Sequence, residues 1–327
     1  VTDLKLEDVK GIGPKTAEKL REKGIGTVEE LATKRPEELA EILNISKKAA
    51  KLIVNDAKSM ALDRALTIKT LKERLEYKKQ RECLISTGSI ALDNLLKGGV
   101  HTDAITILAG EYASGKTQLC KQLAVNTVKL GRKVAWIETE SGTFSVDRIL
   151  EIAKANGVEI DLEKDIFVIE ARDITDPYKQ FLAYELIDKW ATENKVDLGL
   201  LVIDSFSAKF RSYFTGREML PDRAAEEARH FGFLDYIASK YNCAVVMTCQ
   251  VMDVPDPNLQ LGAIVKTGTR KRIVGGNVLL HSGTYILMMH KVKMDEWELI
   301  VADAPDIPFK SVRFRILPSG IKDVRTR

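Results

Sequence analysis

At 327 residues the chain is long enough for one large core and a smaller second domain, because single cores stop growing near ~250 to 300 residues. A formal net charge of +3 with 30% charged residues excludes a globally polycationic nucleic-acid binder, so any basic surface must be local. No apolar run approaches the ~18 residues that span a bilayer and no signal-peptide h-region opens the sequence, which leads us to expect a cytoplasmic protein with no membrane contact.

Residues 1–60 read as a small all-helical domain. Gly11-Ile12-Gly13 stands just before Pro14, a residue suited to the first turn of a helix, and that helix carries Ala17 and Leu20 to a stop at Gly24. Such a hairpin can turn its amides and the following helix N-terminus, with Lys15, toward a phosphate, or it can serve only as a packing turn between helices. A weaker echo at Ile42 to Ile45 has Ser46 as a possible cap but no glycine pair, and is expected to be structural. Residues 61–82, with Lys69, Lys72, Arg74, Lys78, Lys79 and Arg81 among acids, read as a solvated, partly helical connector.

From Cys83 to residue 327 strands alternate with helices. Ala104–Ala109, Lys133–Thr139, Ile166–Ala171, Leu200–Asp204, Ala244–Thr248 and Thr284–Met289 are the predicted strands, which argues for an α/β core with a mostly parallel central sheet covered on both faces. Glu298–Ala302 and Val312–Leu317 read as antiparallel edge strands at the end. Cys83, Cys120, Cys243 and Cys249 are scattered without a C-x-x-C pair, as expected of reduced thiols, the last three buried.

The candidate site begins at Gly110-Glu111-Tyr112-Ala113-Ser114-Gly115-Lys116-Thr117, which fits G-x-x-x-x-G-K-[ST] between a predicted strand and a helix opening at Gln118. A tight loop there points successive N–H groups at phosphate oxygens and adds the positive end of a helix; Lys116 would reach the β and γ phosphates and Thr117 would hold Mg²⁺. Leu200 to Asp204 is an apolar strand ending in an acid, the form of a carboxylate that orients the metal's hydration shell. Glu138 and Glu140 end the strand before it, two residues apart, and one of them could serve as general base toward water. Ala244 to Thr248 continues to Gln250, a polar tip able to sense the γ phosphate.

With these strand ends in order, the chain resembles the RecA-type recombinases, nearest the archaeal RadA group and its eukaryotic relatives. The likeness is carried by Ile85-Ser-Thr87-Gly88-Ser89 through Asp93, by Gly110 to Gln118, Phe210-Arg211 with Gly216-Arg217, Gly275-Gly276-Asn277 with His281, and Asp303-Ala304-Pro305-Asp306-Ile307-Pro308. It implies a RecA-like P-loop ATPase core behind a helix-hairpin-helix domain, with ATP and Mg²⁺ as cofactors. It further implies that Glu140 activates water, Arg148 packs near adenine, Asp204 supports the metal, and Gln250 couples the γ phosphate to a DNA-binding loop. Arg217 and Arg223 fall in a first such loop; a second, over about 252–275, is basic through Lys266, Arg270, Lys271 and Arg272. Gly11, Gly13 and Lys15 match the hairpin that holds a DNA phosphate, while His281, Asp303 and Pro308 match segments that complete the ATP site of a neighbouring protomer.

The implied activity is a DNA-dependent ATPase that forms helical filaments or rings, binds single- and double-stranded DNA, and promotes strand exchange in recombinational repair. Several positions depart from the family pattern: Ile68-Lys-Thr-Leu71 replaces a Phe-x-x-Ala joint, Tyr112-Ala113 an aromatic–glycine pair, and Cys249 an Asn. Glu218 stands for a glycine after Arg217, and Ala224-Ala225 for paired glutamines after Arg223. The alternative is therefore a paralogue that binds DNA and ATP as a mediator without exchanging strands.

Overall fold

A computed structural model describes residues 4–65, 70–140, 142–171, 175–253, 271–274 and 276–324. The chain divides into two compact units, Val1–Gln80 and Arg81–Arg327.

The first unit is helical: α1 (Pro14–Glu22), α2 (Val28–Ala32), α3 (Pro36–Leu43), α4 (Lys47–Ala65) and α5 (Leu71–Arg81). Local chemistry sets the helix ends. Gly13 is the N-cap of α1 with Pro14 at its first position, Thr27 and Glu30 form a reciprocal capping box on α2, and Asn44 closes α3 at φ 56°. The Ser46 hydroxyl accepts from Ala49 N at 3.2 Å at the start of α4, in the capping role expected of it. Leu6, Leu20, Leu31, Leu39 and Val54 form a core small enough that each fully buried leucine, at about 2 kcal/mol, is a sizeable share of the unit's stability. Helix α4 runs past residue 60, and α5 fills half of the charged stretch 61–82 without burying a side chain, leaving Leu71 and Leu75 exposed.

The second unit opens with β1 (Leu84–Ile85) and β2 (Val100–His101), an antiparallel pair around α6 (Ile90–Leu95). It continues through β3 (Ala104–Gly110), α7 (Lys116–Lys129), β4 (Lys133–Glu138), α8 (Val146–Ala155), β5 (Ile166–Glu170), α9 (Pro177–Glu193) and β6 (Leu198–Asp204). Then come α10 (Ser207–Tyr213), α11 (Leu220–Tyr241), β7 (Ala244–Asp253), β8 (Lys271–Ile273) and α12 (Gly276–Ser282). The chain closes on β9 (Tyr285–Lys293), β10 (Glu296–Asp303), β11 (Ser311–Leu317) and β12 (Gly320–Asp323).

The main sheet has the order β12-β11-β10-β9-β3-β7-β6-β4-β5, with β8 paired to β7. Strands β9, β3, β7, β6, β4 and β5 are parallel, and β10 to β12 form an antiparallel meander on one side. The central strands are buried on both faces, which is why they read as continuous apolar runs: Ile105, Ile107 and Ala109 of β3 enter one core, and Ala104 and Leu108 enter the other. The expected edge position of Glu298–Ala302 and Val312–Leu317 is corrected here, because β10 and β11 are both internal and the edge is β12. A turn of only two residues, Pro318 and Ser319, returns the chain for that last strand, which is too short to carry a clear alternation of its own.

Candidate active site

The order β3-β7-β6-β4 sets four strand ends side by side. Gly110 is level with Gln250, and Glu138 with Asp204. The carboxyl ends of parallel strands, where successive crossovers leave a crevice, are where open α/β sheets bind ligands. A cavity of about 450 Å³ lies there, lined by residues 112–118, Lys121, Glu140, Gly142, Thr143, Asp204, Ser205, Thr248, Gln250, Trp297 and Ile316.

The loop into α7 needs its glycines. A Cβ on Gly110 would stand 2.3 Å from the Met289 carbonyl oxygen, and Gly115 takes φ +90° with a would-be Cβ 2.6 Å from Ile316 Cδ1. Lys116 folds back over the loop it follows, donating from Nζ to the carbonyls of Gly110 (2.9 Å) and Glu111 (2.7 Å) and to Ser114 Oγ (3.1 Å). Burial pulls the Lys116 pKa down, and Asp204 partly restores it. These carbonyls hold the ammonium over the loop, where a phosphate oxygen would replace them as partner.

Asp204 is buried and accepts from Thr117 Oγ1 at 2.8 Å and Thr248 Oγ1 at 2.6 Å. Desolvation pushes its pKa up against both hydroxyl bonds and the charge of Lys116. Among the described residues no cluster of three or more His, Cys, Asp or Glu could hold a metal alone. A hydroxyl and one carboxylate beside a phosphate cradle fit Mg²⁺, which takes few protein ligands and completes its shell with water and phosphate oxygens.

Glu138 and Glu140 divide their work. Glu138 is buried and its Oε1 accepts the backbone N–H groups of Thr143 (3.1 Å) and Phe144 (3.0 Å), folding the turn that follows β4. Glu140 reaches the cavity, where Oε1 accepts from Ser205 Oγ at 2.7 Å and from Gln250 Nε2 at a long 3.5 Å. Gln250 Oε1 in turn accepts from Arg211 at 2.8 Å. Glu140, Gln250 and Arg211 thus form one relay from the cavity to α10.

Other expected residues fall outside the cavity. Arg148 sits beside it, donating to Gln118 Oε1 (2.9 Å), Leu317 O (2.6 Å) and Pro318 O (2.6 Å), so it braces α7 against the β11–β12 turn. His281, Asp303 and Pro308 are exposed and do not line it. Arg217 is exposed just before α11; Arg223, the other expected arginine of that loop, donates from Nε at 2.8 Å to the buried Glu227, one helical turn on. Burial raises the Glu227 pKa, and the Arg223 pair lowers it in part. Lys266 and Arg270 lie outside the described residues, as does Ile68; Lys271 and Arg272 lie in β8, opposite Asp253 and Met252. In the first unit Gly11 (φ +92°), Gly13 and Lys15 form an exposed hairpin at the start of α1, while the neighbouring Lys10 N donates to Asp56 at 2.8 Å.

Sequence reasoning missed Lys121, Ser205, Trp297 and Ile316 as cavity residues. Lys121 had a local signal, lying one helical turn beyond Thr117; Trp297 and Ile316 arrive by long-range strand pairing and had none.

The family model described as Rad51 matches residues 78–324, and one described as a SAM-like helix-hairpin-helix tandem matches residues 3–59. Proteins named "DNA repair and recombination protein RadA" are similar over nearly the whole chain. That of Ignicoccus hospitalis is 36% identical over 97% of this chain and 95% of its own; that of Cenarchaeum symbiosum is 34% identical over 99% and 80%. That of Methanococcus maripaludis is 33% identical over 97% and 99%. Among the described residues no helix is long and apolar enough to cross a membrane.

Proposed function

The chain belongs to the Rad51 family, and from that premise we propose that it is an ATP-dependent DNA recombinase that assembles on single-stranded DNA and promotes homologous pairing and strand exchange. The observation that carries the mechanism is the row of strand ends: the phosphate loop, Asp204, Glu140 and Gln250 line one cavity. A bound Mg²⁺ would supply positive charge against the charge that develops on the phosphates. Thr117 and Asp204 would hold it, and the loop amides with Lys116 would bind the phosphates.

Glu140 is the base in this reading. Its carboxylate is oriented by Ser205 and Gln250, and it would take the proton of a water attacking the γ phosphate. Gln250 would report the presence of that phosphate, because its amide joins Glu140 to Arg211 and it lies near the end of β7, the strand that precedes residues 254–270. Lys266 and Arg270 of that segment, Lys271 and Arg272 of β8, Arg217, and the Gly11–Lys15 hairpin are the proposed DNA contacts, a largely sequence-independent and salt-dependent set. His281, Asp303 and Pro308, exposed and away from the cavity of their own chain, suit a role in completing a neighbour's site in a filament or ring. A nucleotide held between protomers would stabilise assembly until it is hydrolysed.

A mediator without exchange activity remains the second reading, supported by the Arg223–Glu227 pair, which would compete with DNA for that arginine. The test is oligonucleotide strand exchange followed by fluorescence, with ATP and Mg²⁺, against homologous and heterologous duplexes. Exchange confined to the homologous duplex is expected; ATP-dependent DNA binding without exchange would transfer the assignment to the mediator.

A further inference from the structure

The cavity has different walls on the two sides of the phosphate loop. Strand β3, which feeds the loop, has β7, β6 and β4 on one side, bringing Gln250, Asp204 and, just past β4, Glu140. On its other side lie β9, β10 and β11, bringing Trp297 and Ile316. One wall is charged and polar, the other apolar. Phe314 stands opposite Trp297 in the β10–β11 pair, and Ile316, two residues on, is the diagonal neighbour on the same face, so both side chains pack on the core that α7 covers and reach the cavity together.

Contacts on both sides of the indole fix where this wall stands. A Cβ built on Gly115 would meet Ile316 Cδ1 at 2.6 Å and Trp297 Cδ1 and Nε1 at 3.3 Å, so the indole edge lies against the turn from the loop into α7. Lys291, directly across the β9–β10 pair, holds its Nζ 5.3 Å from the centre of the Trp297 ring. Among the described residues Trp297 Nε1 is buried and has no hydrogen-bond partner. An indole N–H shut away from water and left unbonded costs free energy until something supplies an acceptor. The guanidinium of Arg148 is engaged elsewhere: Nε, Nη1 and Nη2 already donate to Gln118, Glu151, Leu317 and Pro318.

A nucleoside triphosphate matches this asymmetry. With its γ phosphate and metal among the acids, its other end leaves the loop toward the uncharged wall, and a ribose and base bring there an apolar surface with a few acceptor atoms. We propose that Trp297 and Ile316 form the nucleoside wall of the site, with Trp297 Nε1 as the donor that distinguishes a nucleotide from a bare polyphosphate. The inference deepens the ATPase reading of this cavity and rests on it. Trp297 is then a specificity-determining residue, touching the ribose–base end and taking no part in the attack on the γ phosphate.

The experiment titrates the full chain with ATP and with inorganic tripolyphosphate, each with Mg²⁺, by calorimetry, in the parent, Trp297→Phe and Trp297→Leu. Trp297→Phe keeps a ring and removes the N–H, and should weaken ATP binding about 3- to 10-fold, the effect of one hydrogen bond. Trp297→Leu also removes the ring surface and should weaken it about 10- to 30-fold. Tripolyphosphate, which has nothing to place on this wall, should bind all three proteins within about twofold of one another.

Intrinsic fluorescence gives a readout independent of hydrolysis. Of the three tryptophans, Trp136 is fully buried and Trp190 packs on Phe167 with ring centres 4.4 Å apart. ATP should change the emission of the parent, tripolyphosphate should change it far less, and Trp297→Phe should abolish the ATP response. Parallel losses for ATP and tripolyphosphate would make Trp297 a prop for the phosphate loop and overturn the proposal, as would unchanged ATP affinity in Trp297→Phe or an emission response that survives it. Should Trp297→Leu fail to fold, Trp297→Phe carries the comparison alone. A parent that binds both ligands equally well would remove the nucleoside wall and leave the phosphate site standing; one that binds neither would remove the ATPase reading and the wall with it.

Discussion

The phosphate loop before α7 and the Gly11–Gly13 hairpin before α1 use the same device in opposite settings. Each has a glycine at positive φ, +90° at Gly115 and +92° at Gly11, and each leads into the N-terminus of a helix followed closely by a lysine. Around the loop stand the half-buried Lys116, the buried Lys121, two buried carboxylates and a wall of Trp297 and Ile316, so a bound phosphate would meet fixed charges in a low dielectric. The hairpin is exposed, its lysine is in water, and Asp56 occupies the neighbouring Lys10 amide. The difference teaches what surroundings add to a helix terminus: on the proposed reading the loop would suit one ligand and its cation, and the hairpin any phosphate of a backbone.

The sharpest way to break the comparison is Lys116→Ala. The carbonyls of Gly110 and Glu111 would lose their ammonium, and the β and γ phosphates their only mobile cation from the loop. Truncating one partner of a buried charge pair costs about 2–5 kcal/mol, so ATP affinity should fall at least about 30-fold by titration of a fluorescent analogue. Nucleotide-dependent assembly, followed by light scattering, should be lost with it. DNA binding at the hairpin should survive, and a parallel loss there would show that the two regions are not independent.

The glycines give a middle-sized effect. Gly115→Ala sets a Cβ 2.6 Å from Ile316 Cδ1, a side-chain tip able to turn aside, in addition to about 1–2 kcal/mol for the left-handed backbone. ATP affinity should drop about tenfold. Gly11→Ala carries the same backbone cost, with its Cβ 3.3 Å from Ile53 Cγ1, but in a unit whose core is small. Thermal melting should therefore show the loss at Gly11 as reduced stability of the first unit, and DNA affinity should fall only about threefold.

Legibility followed the range of the interactions. The phosphate loop, its flanking strand and helix, and Asp204 at the end of a doubly buried strand are local patterns, and the structure sets them in one row. Glu138 and Glu140 were legible as a pair but not as a division of labour, because the amides of Thr143 and Phe144 that claim Glu138 come from the turn beyond. The inward turn of Arg223 had a readable sign in Glu227 four residues on, an i,i+4 spacing that on a helix is as good for an ion pair as exposure is for DNA. Trp297 and Ile316 were not legible: β10 and β11 reach the loop through the β9–β3 pairing, a choice among strands that no local window encodes.

The smallest effect separates the two helix termini most cleanly. Lys15 is exposed at the second position of α1, where its charge adds to the helix end without a fixed partner among the described residues. Lys15→Gln should lower affinity for single- and double-stranded oligonucleotides of any sequence by a similar small factor, about two- to threefold at moderate salt. It should also reduce the slope of log affinity against log salt by about one, as expected for a lost phosphate contact. ATP affinity should not change. If the slope is untouched, the hairpin is a packing turn between α1 and its neighbours, Asp56 rather than a phosphate is the natural partner of its amides, and the shared glycine geometry of the two regions reflects backbone economy alone.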